Sequence, residues 1–436
     1  MARRLNASEA SFEADFRDLL FAKREEEDDV ALVVRGIISD VRKRGDEALV
    51  ELTNKFDRAG VSKETLKLTA GEIDAALAQV SKAELAAIET AARRIESYHK
   101  RQMPQDLRYT DETGAQLGWR WTSVDSVGLY VPGGTASYPS SVLMNAIPAK
   151  VAGVERIVMV TPASGGKLNP LVLAAARRAG ISDIYRIGGA QAVAALAYGT
   201  QSIKAVDKIV GPGNAYVAAA KREVFGQVGI DSIAGPSEIL VIADAANNPD
   251  WIAADLLSQA EHDVSSQSIL ITDDAGFADK VDAAARAQLA LLPRREIAEK
   301  SWNANGAIIL VKNLNDAAPL ADAFAPEHLE IATADPESLL KQVRHAGAIF
   351  LGRYTPEAMG DYIAGPNHVL PTSRTARFSS GLSVLDYMKR STILGLDAKS
   401  IAAIGPEAVT LAESEGLDGH ARSIAARLNQ KIDRKD

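Results

Sequence analysis

The segment Ala325-Pro326-Glu327-His328-Leu329-Glu330 sets a carboxylate beside an imidazole just ahead of an apolar run. Two neighbouring groups able to give and take protons form a candidate acid/base centre. A solvated pair at the end of an element is the plainer reading of any Glu-His neighbour. The chain carries only six histidines, however, and three others stand in equally unusual settings: Gln259-Ala260-Glu261-His262-Asp263, Gly365-Pro366-Asn367-His368 and Gly419-His420. Gln259 and His262, three apart on a predicted helix, project from one face. With Asp361 and His420 they offer a mixed nitrogen and oxygen donor set of the kind a zinc-like ion takes; a hydrogen-bonded helix end explains the same residues without a metal. His99 and His345 sit among charges and read as solvated, and the acidic run from Glu25 to Asp29 as an exposed helix start.

Cysteine is absent, which removes disulfides, thiolate metal ligands and any thiol nucleophile together. Two glycine-rich stretches, Ile187-Gly188-Gly189-Ala190-Gln191 and Val210-Gly211-Pro212-Gly213-Asn214, each follow a predicted strand and open a predicted helix. Such turns leave backbone N–H groups free to meet an anion. Neither is the G-x-G-x-x-G fingerprint, and tight turns also need glycine for purely steric reasons.

The elements that must position these residues come in two alternating sets. Helical spacing runs through 11–57 and again from Gly71 to about His99; a hairpin is expected around Glu112-Thr113-Gly114. Strands near 156–161, 183–187 and 208–210 then alternate with helices, and the rhythm restarts with strands at 238–243, 268–272, 307–311 and 348–351. Strand-helix alternation implies right-handed crossovers and parallel sheets, so the fold class is α/β with two parallel-sheet domains facing each other. From Ser379 onward the pattern is helical. In open parallel sheets ligands gather at the carboxyl ends of the strands.

At 436 residues the chain is expected to form two or three domains. Its 47% hydrophobic and 24% charged residues describe a globular protein, and a net charge of −8 disfavours a nucleic-acid surface. There is no apolar stretch of ~18 residues, and the start is not a signal peptide, so a cytoplasmic enzyme with a small-molecule substrate is expected.

Taken together, several stretches resemble the histidinol dehydrogenase family: Gly128-Leu129-Tyr130-Val131-Pro132-Gly133-Gly134, Gly211 to Asn214, Ala234-Gly235-Pro236-Ser237-Glu238, Asp255 to Asp263, Ala325 to Leu329, Gly365 to Pro371, and Glu415-Gly416-Leu417 followed by His420. The resemblance implies zinc ligands at Gln259, His262, Asp361 and His420, an acid/base pair at Glu327 and His328, further substrate contacts at Ser237 and Glu415, and NAD contacts at Tyr130, Gln191 and Asn214. It also implies two incomplete Rossmann-like domains with small helical ends in an intertwined homodimer, the segment carrying His420 reaching the partner subunit. On this chain that means an N-terminal helical arm at 1–28, a first domain made of 29–129 and 238–378, a second at 130–237, and a C-terminal helical segment at 379–436. The implied reaction is oxidation of L-histidinol to L-histidine through the aldehyde, in two NAD-dependent steps. Arg374 departs from the small residue that many relatives carry. Three other readings stay open: a related dehydrogenase acting on another polar alcohol such as a dihydroxypropane sulfonate, a zinc hydrolase, and a two-lobed binding protein without turnover.

Overall fold

The structure is a computed structural model that describes residues 2–22, 28–133, 138–233 and 235–429, with the backbone alone for Asp28 and Asp29. Gly134 and Ala234 of the motifs above, and the acidic run up to Glu27, lie outside the described residues. Two compact units emerge, one of residues 1–102 and 125–387, the other of 103–124 and 388–436.

The larger unit contains two parallel sheets with helices around them, as the alternating pattern predicts. One has six strands in the order Arg3–Asn6, Ala307–Leu310, Gln267–Thr272, Glu238–Ala243, His328–Ala332 and Ala348–Leu351. Three of its inner strands, Gln267–Thr272, Glu238–Ala243 and His328–Ala332, are buried at every position; the first two carry central apolar runs for that reason, while the third buries His328 and Glu330 as well. Alternate residues enter different cores: Ile239, Val241 and Ala243 join one, Leu240 and Ile242 the other, so helices cover both faces. The other sheet has five strands in the order Asp183–Tyr185, Arg156–Val160, Ser126–Tyr130, Lys208–Val210 and Gly229–Ile230. Residues 29–129 were grouped above with 238–378; Val34, Ile38 and Leu49 instead share the hydrophobic core of Val158 and Ile209 in the five-stranded sheet. An amphipathic face specifies burial but not which sheet it covers.

The smaller unit holds the expected hairpin, Leu107–Thr110 with Gln116–Ser123. Asp111 Oδ1 accepts the N–H groups of Thr113 and Ala115 at 2.9 and 3.0 Å, and Gly114 takes φ +91° to close the turn.

Three expectations are corrected. Arg3–Asn6 is not part of a helical arm but an edge strand paired with Ala307–Leu310; four polar-rich residues show no period of their own, and the partner lies three hundred positions away. Met388–Gly395, placed in a helical region, is a strand antiparallel to Gln116–Ser123. Its Arg390 guanidinium stands 5.8 and 5.9 Å from the rings of Trp119 and Trp121, a cross-strand attraction that the strand's own sequence does not display. His99 is fully buried rather than solvated. It continues the inward stripe Ile88, Ala91, Ala92 and Ile95 of helix Lys82–Lys100, and its Nδ1 lies 2.8 Å from the Ile95 carbonyl. No described helix is long and apolar enough to cross a membrane.

Candidate active site

Glu327 and His328 stand at the amino edge of the strand His328–Ala332, beside the start of Glu238–Ala243. That is the opposite end from the one parallel sheets usually offer to ligands. Helix Pro249–Ala260 runs back from the carboxyl end of Glu238–Ala243, and so returns Gln259 and His262 to this amino edge. The short helix Glu357–Tyr362 packs on Pro249–Ala260 and supplies Asp361.

Both members of the pair are buried. Glu327 Oε2 accepts the Glu238 N–H at 3.0 Å, and His328 Nδ1 donates to the Glu238 carbonyl at 3.0 Å. Because a carbonyl only accepts, Nδ1 carries a proton and Nε2 is left as the reactive nitrogen. Nε2 faces Glu357 Oε2 at 3.3 Å and Asp361 Oδ1 at 3.6 Å, while Glu327 Oε2 lies 3.7 Å from Nδ1. Burial pushes the Glu327 carboxyl up to about 8, against the opposing pull of His328 and the Glu238 N–H. For His328, burial works downward, but Glu357, Glu327 and Asp361 together outweigh it and hold the imidazole well above its ordinary value. Asp361 also feels burial, yet its bond to His328 brings its carboxyl below the usual range.

Behind this pair the structure assembles carboxyl groups that sequence reasoning missed. Glu330, two residues on and therefore on the same strand face, accepts the Glu357 N–H at 2.6 Å. Burial and the neighbouring Asp255 push its carboxyl well up. Burial also raises Glu357 to about 7 and Asp255 to about 6. Ser258 donates to Glu357 Oε1 at 3.0 Å. The i, i+4 spacing of Glu357 and Asp361 was a usable signal; the arrival of Asp255 from another helix was not.

The donor set fits a divalent ion. Gln259 is fully buried, and neither Oε1 nor Nε2 of its amide meets a hydrogen-bond partner. An unpaired buried amide costs roughly 2–7 kcal/mol, a cost that a metal ion, a ligand or a water bound at this amide would relieve. His262 follows the helix at an exposed rim, where the protein around it pushes its imidazole down and Asp361 acts in the opposite sense. His328, Glu357 and Asp361 each present a ligand atom within 4.8 Å of the others. Of the expected metal and substrate residues, Gln259, His262, Asp361, His328 and Ser237 belong to the larger unit. Ser237 is half-buried, and its carbonyl accepts the Gln267 N–H at 3.0 Å. Glu415 and His420 belong to the smaller one, at the end of helix Ala398–Ser414 and in helix Asp418–Ala425, both exposed.

The three expected NAD contacts collect at the carboxyl ends of the five-stranded sheet. The buried Tyr130 ends its strand and accepts the Gly189 N–H on its hydroxyl at 3.0 Å; burial pushes that hydroxyl up to about 12. Gln191 is buried with its Nε2 unpaired. Asn214 Oδ1 caps helix Ala215–Val224, accepting from Tyr216 and Val217 at 3.1 and 3.2 Å. At Gly211, φ is +113° and a Cβ would stand 2.1 Å from the Tyr130 carbonyl, so only glycine lets these two strand ends approach. The Gly189, Tyr216 and Val217 N–H groups at these helix starts already have partners within the protein.

The histidinol dehydrogenase family model matches residues 21–428. The chain is 64% identical over 431 residues to the histidinol dehydrogenase of Rhodospirillum rubrum and 63% identical over 429 to that of Rhizobium meliloti; the matches cover 99% and 98% of this chain and 99% of each relative. The crystal structure of histidinol dehydrogenase from Elizabethkingia anophelis superposes with a TM-score of 0.94 at 36% identity, covering 98% of both chains. With a family match over residues 21–428 and relatives more than 60% identical across almost the whole chain, the chain belongs to the histidinol dehydrogenase family.

Proposed function

We propose that this chain oxidises L-histidinol to L-histidine through the aldehyde in two NAD-dependent steps, with zinc held by Gln259, His262, Asp361 and His420 in a homodimer whose subunits exchange the segment bearing His420. The observation that carries this reading is the burial of Glu327 and His328 side by side in a chain without a thiol. The similarity to named histidinol dehydrogenases supports the substrate.

Bound zinc would hold the substrate's imidazole and amino nitrogens, and NAD would accept one hydride in each oxidation. In its neutral form, with the proton on Nδ1, His328 takes the hydroxyl proton on Nε2 as the alcohol carbon loses its hydride. The resulting imidazolium is stabilised by Glu357 and Asp361, 3.3 and 3.6 Å away. Aldehyde oxidation in many enzymes passes through a thiohemiacetal, a route closed here. Water must add instead, and Glu327 is the base that removes its proton. The hydrate so formed gives up a hydrogen from carbon as hydride while His328 accepts a proton from oxygen, leaving the acid. Ser237 and Glu415 complete the substrate contacts. Tyr130, Gln191 and Asn214 serve the nucleotide.

The test is NADH formation from histidinol with and without a chelator. Two NADH per histidine, abolished by chelation and restored by zinc, are expected; full turnover in metal-free protein would remove the metal from the proposal.

A further inference from the structure

Helix Glu357–Tyr362 ends, like any helix, in carbonyls without intrahelical partners. Two side chains from elsewhere meet this end. Arg94 donates through Nε and Nη2 to the Ile363 and Ala364 carbonyls at 2.7 and 3.0 Å. His368 Nδ1 lies 2.9 Å from the Asp361 carbonyl. Since that oxygen can only accept, Nδ1 carries the proton, and Nε2 keeps a lone pair facing the Ser141 hydroxyl at 3.3 Å.

The imidazole is held from its own backbone as well. The neighbouring Asn367 donates to the Met144 carbonyl at 2.6 Å and accepts the Val369 N–H at 2.9 Å. Gly365, at φ +118°, lies so close to helix Lys82–Lys100 that a Cβ would stand 3.2 Å from the Arg94 carbonyl. His368 is therefore a stiff strut between helix Pro139–Ala152 and the residue whose carboxylate faces His328 at 3.6 Å. No proton transfer in the proposed reaction requires it.

We propose that His368 is a positioning residue for the metal site: its Nδ1–H fixes the peptide of Asp361, hence the direction of that carboxylate, and so sets how tightly the divalent ion is held. This rests on Asp361 being a metal ligand. Hydrogen bonds that orient ligand residues typically contribute about 10–100-fold to metal affinity.

Two substitutions separate the two ends of the ring. In His368→Asn the side-chain amide nitrogen takes the place of Nδ1 and keeps the bond to Asp361; in His368→Gln the amide reaches toward Ser141 and leaves Asp361 without its donor. Zinc affinity of the full-length chain, read by competition with a chromophoric chelator and with thermal midpoints as a fold control, is expected to fall ~10–100-fold in His368→Gln. It is expected to stay near the parent value in His368→Asn and in Ser141→Ala. Parent-like affinity in His368→Gln, or an equal loss in all three, would overturn the role of the Nδ1 bond. Asp361→Asn in the same titration separates the two ideas: undiminished zinc binding there refutes Asp361 as a ligand, whereas weak binding beside an unaffected His368→Gln refutes the strut alone.

Discussion

A carboxyl raised to about 8 by burial is mostly protonated at neutral pH, yet the proposed reaction needs Glu327 ionised to take a proton from water. The sign follows directly: as pH falls below about 8, the active form is lost about tenfold per unit. His328 must also be unprotonated to accept its proton, and against burial the surrounding carboxyls hold its imidazole well above the ordinary value. Aldehyde oxidation should therefore rise at least about tenfold per unit from pH 6 toward 8; a flat profile for the isolated second step would argue against Glu327 as its base. The same division of labour predicts that Glu327→Gln lowers aldehyde oxidation by ~10²–10⁴ while largely sparing oxidation of the alcohol. Measured separately with histidinol and with the aldehyde, equal losses would contradict it. At this scale Glu327 and His328 were legible because they are neighbours in the chain. Glu330, Glu357 and Asp255 were not, since their proximity to each other is made by a strand face and two helices.

Among the elements, the turn after Lys208–Val210 is held from both sides. Gly211 donates its N–H to Asp231 Oδ2 at 2.7 Å, and its carbonyl accepts Lys221 Nζ at 3.1 Å, while Lys221 and Asp231 form a buried ion pair with each other. Removing one partner strands the other charge in the interior, so Lys221→Ala is expected to cost ~3–5 kcal/mol in urea unfolding. A loss near zero would mean that water reaches the pair. Asn214→Ala should cost about 1 kcal/mol through the lost cap on helix Ala215–Val224 and raise the KM for NAD, whereas Asn214→Ser, which can cap, should recover the stability. The long, regular strands and helices were readable from their period. Arg3–Asn6 and Met388–Gly395 were not, because what makes them strands is a distant partner rather than their own pattern.

For the whole molecule, the proposed exchange of the segment with Glu415 and His420 has a consequence that a self-contained site lacks. Mixing Glu327→Gln and His420→Ala subunits under exchange conditions should regenerate histidine formation from two preparations that each lack it, because one site of each mixed dimer would combine intact Glu327 with intact His420. The expected recovery is about a quarter of the wild-type rate at equal mixing. No recovery, with mixed dimers present by mass spectrometry, would place His420 outside the partner's site.

The amino-acid sequence alone determined the α/β class and the two parallel sheets, and it set Glu327 beside His328. These follow from period, apolar runs and adjacency, all of which are local. It also determined that no cysteine thiol can take part in any reaction here, since composition is independent of folding. Only the tertiary structure decided that the pair lies at the amino edge of its sheet and that helices 30–57 cover the other sheet. The burial of the Gln259 amide without a partner, and the placing of His368 behind Asp361, were likewise decided there. Each of those depends on which surfaces meet, and amphipathic faces many residues apart carry no label naming their partner.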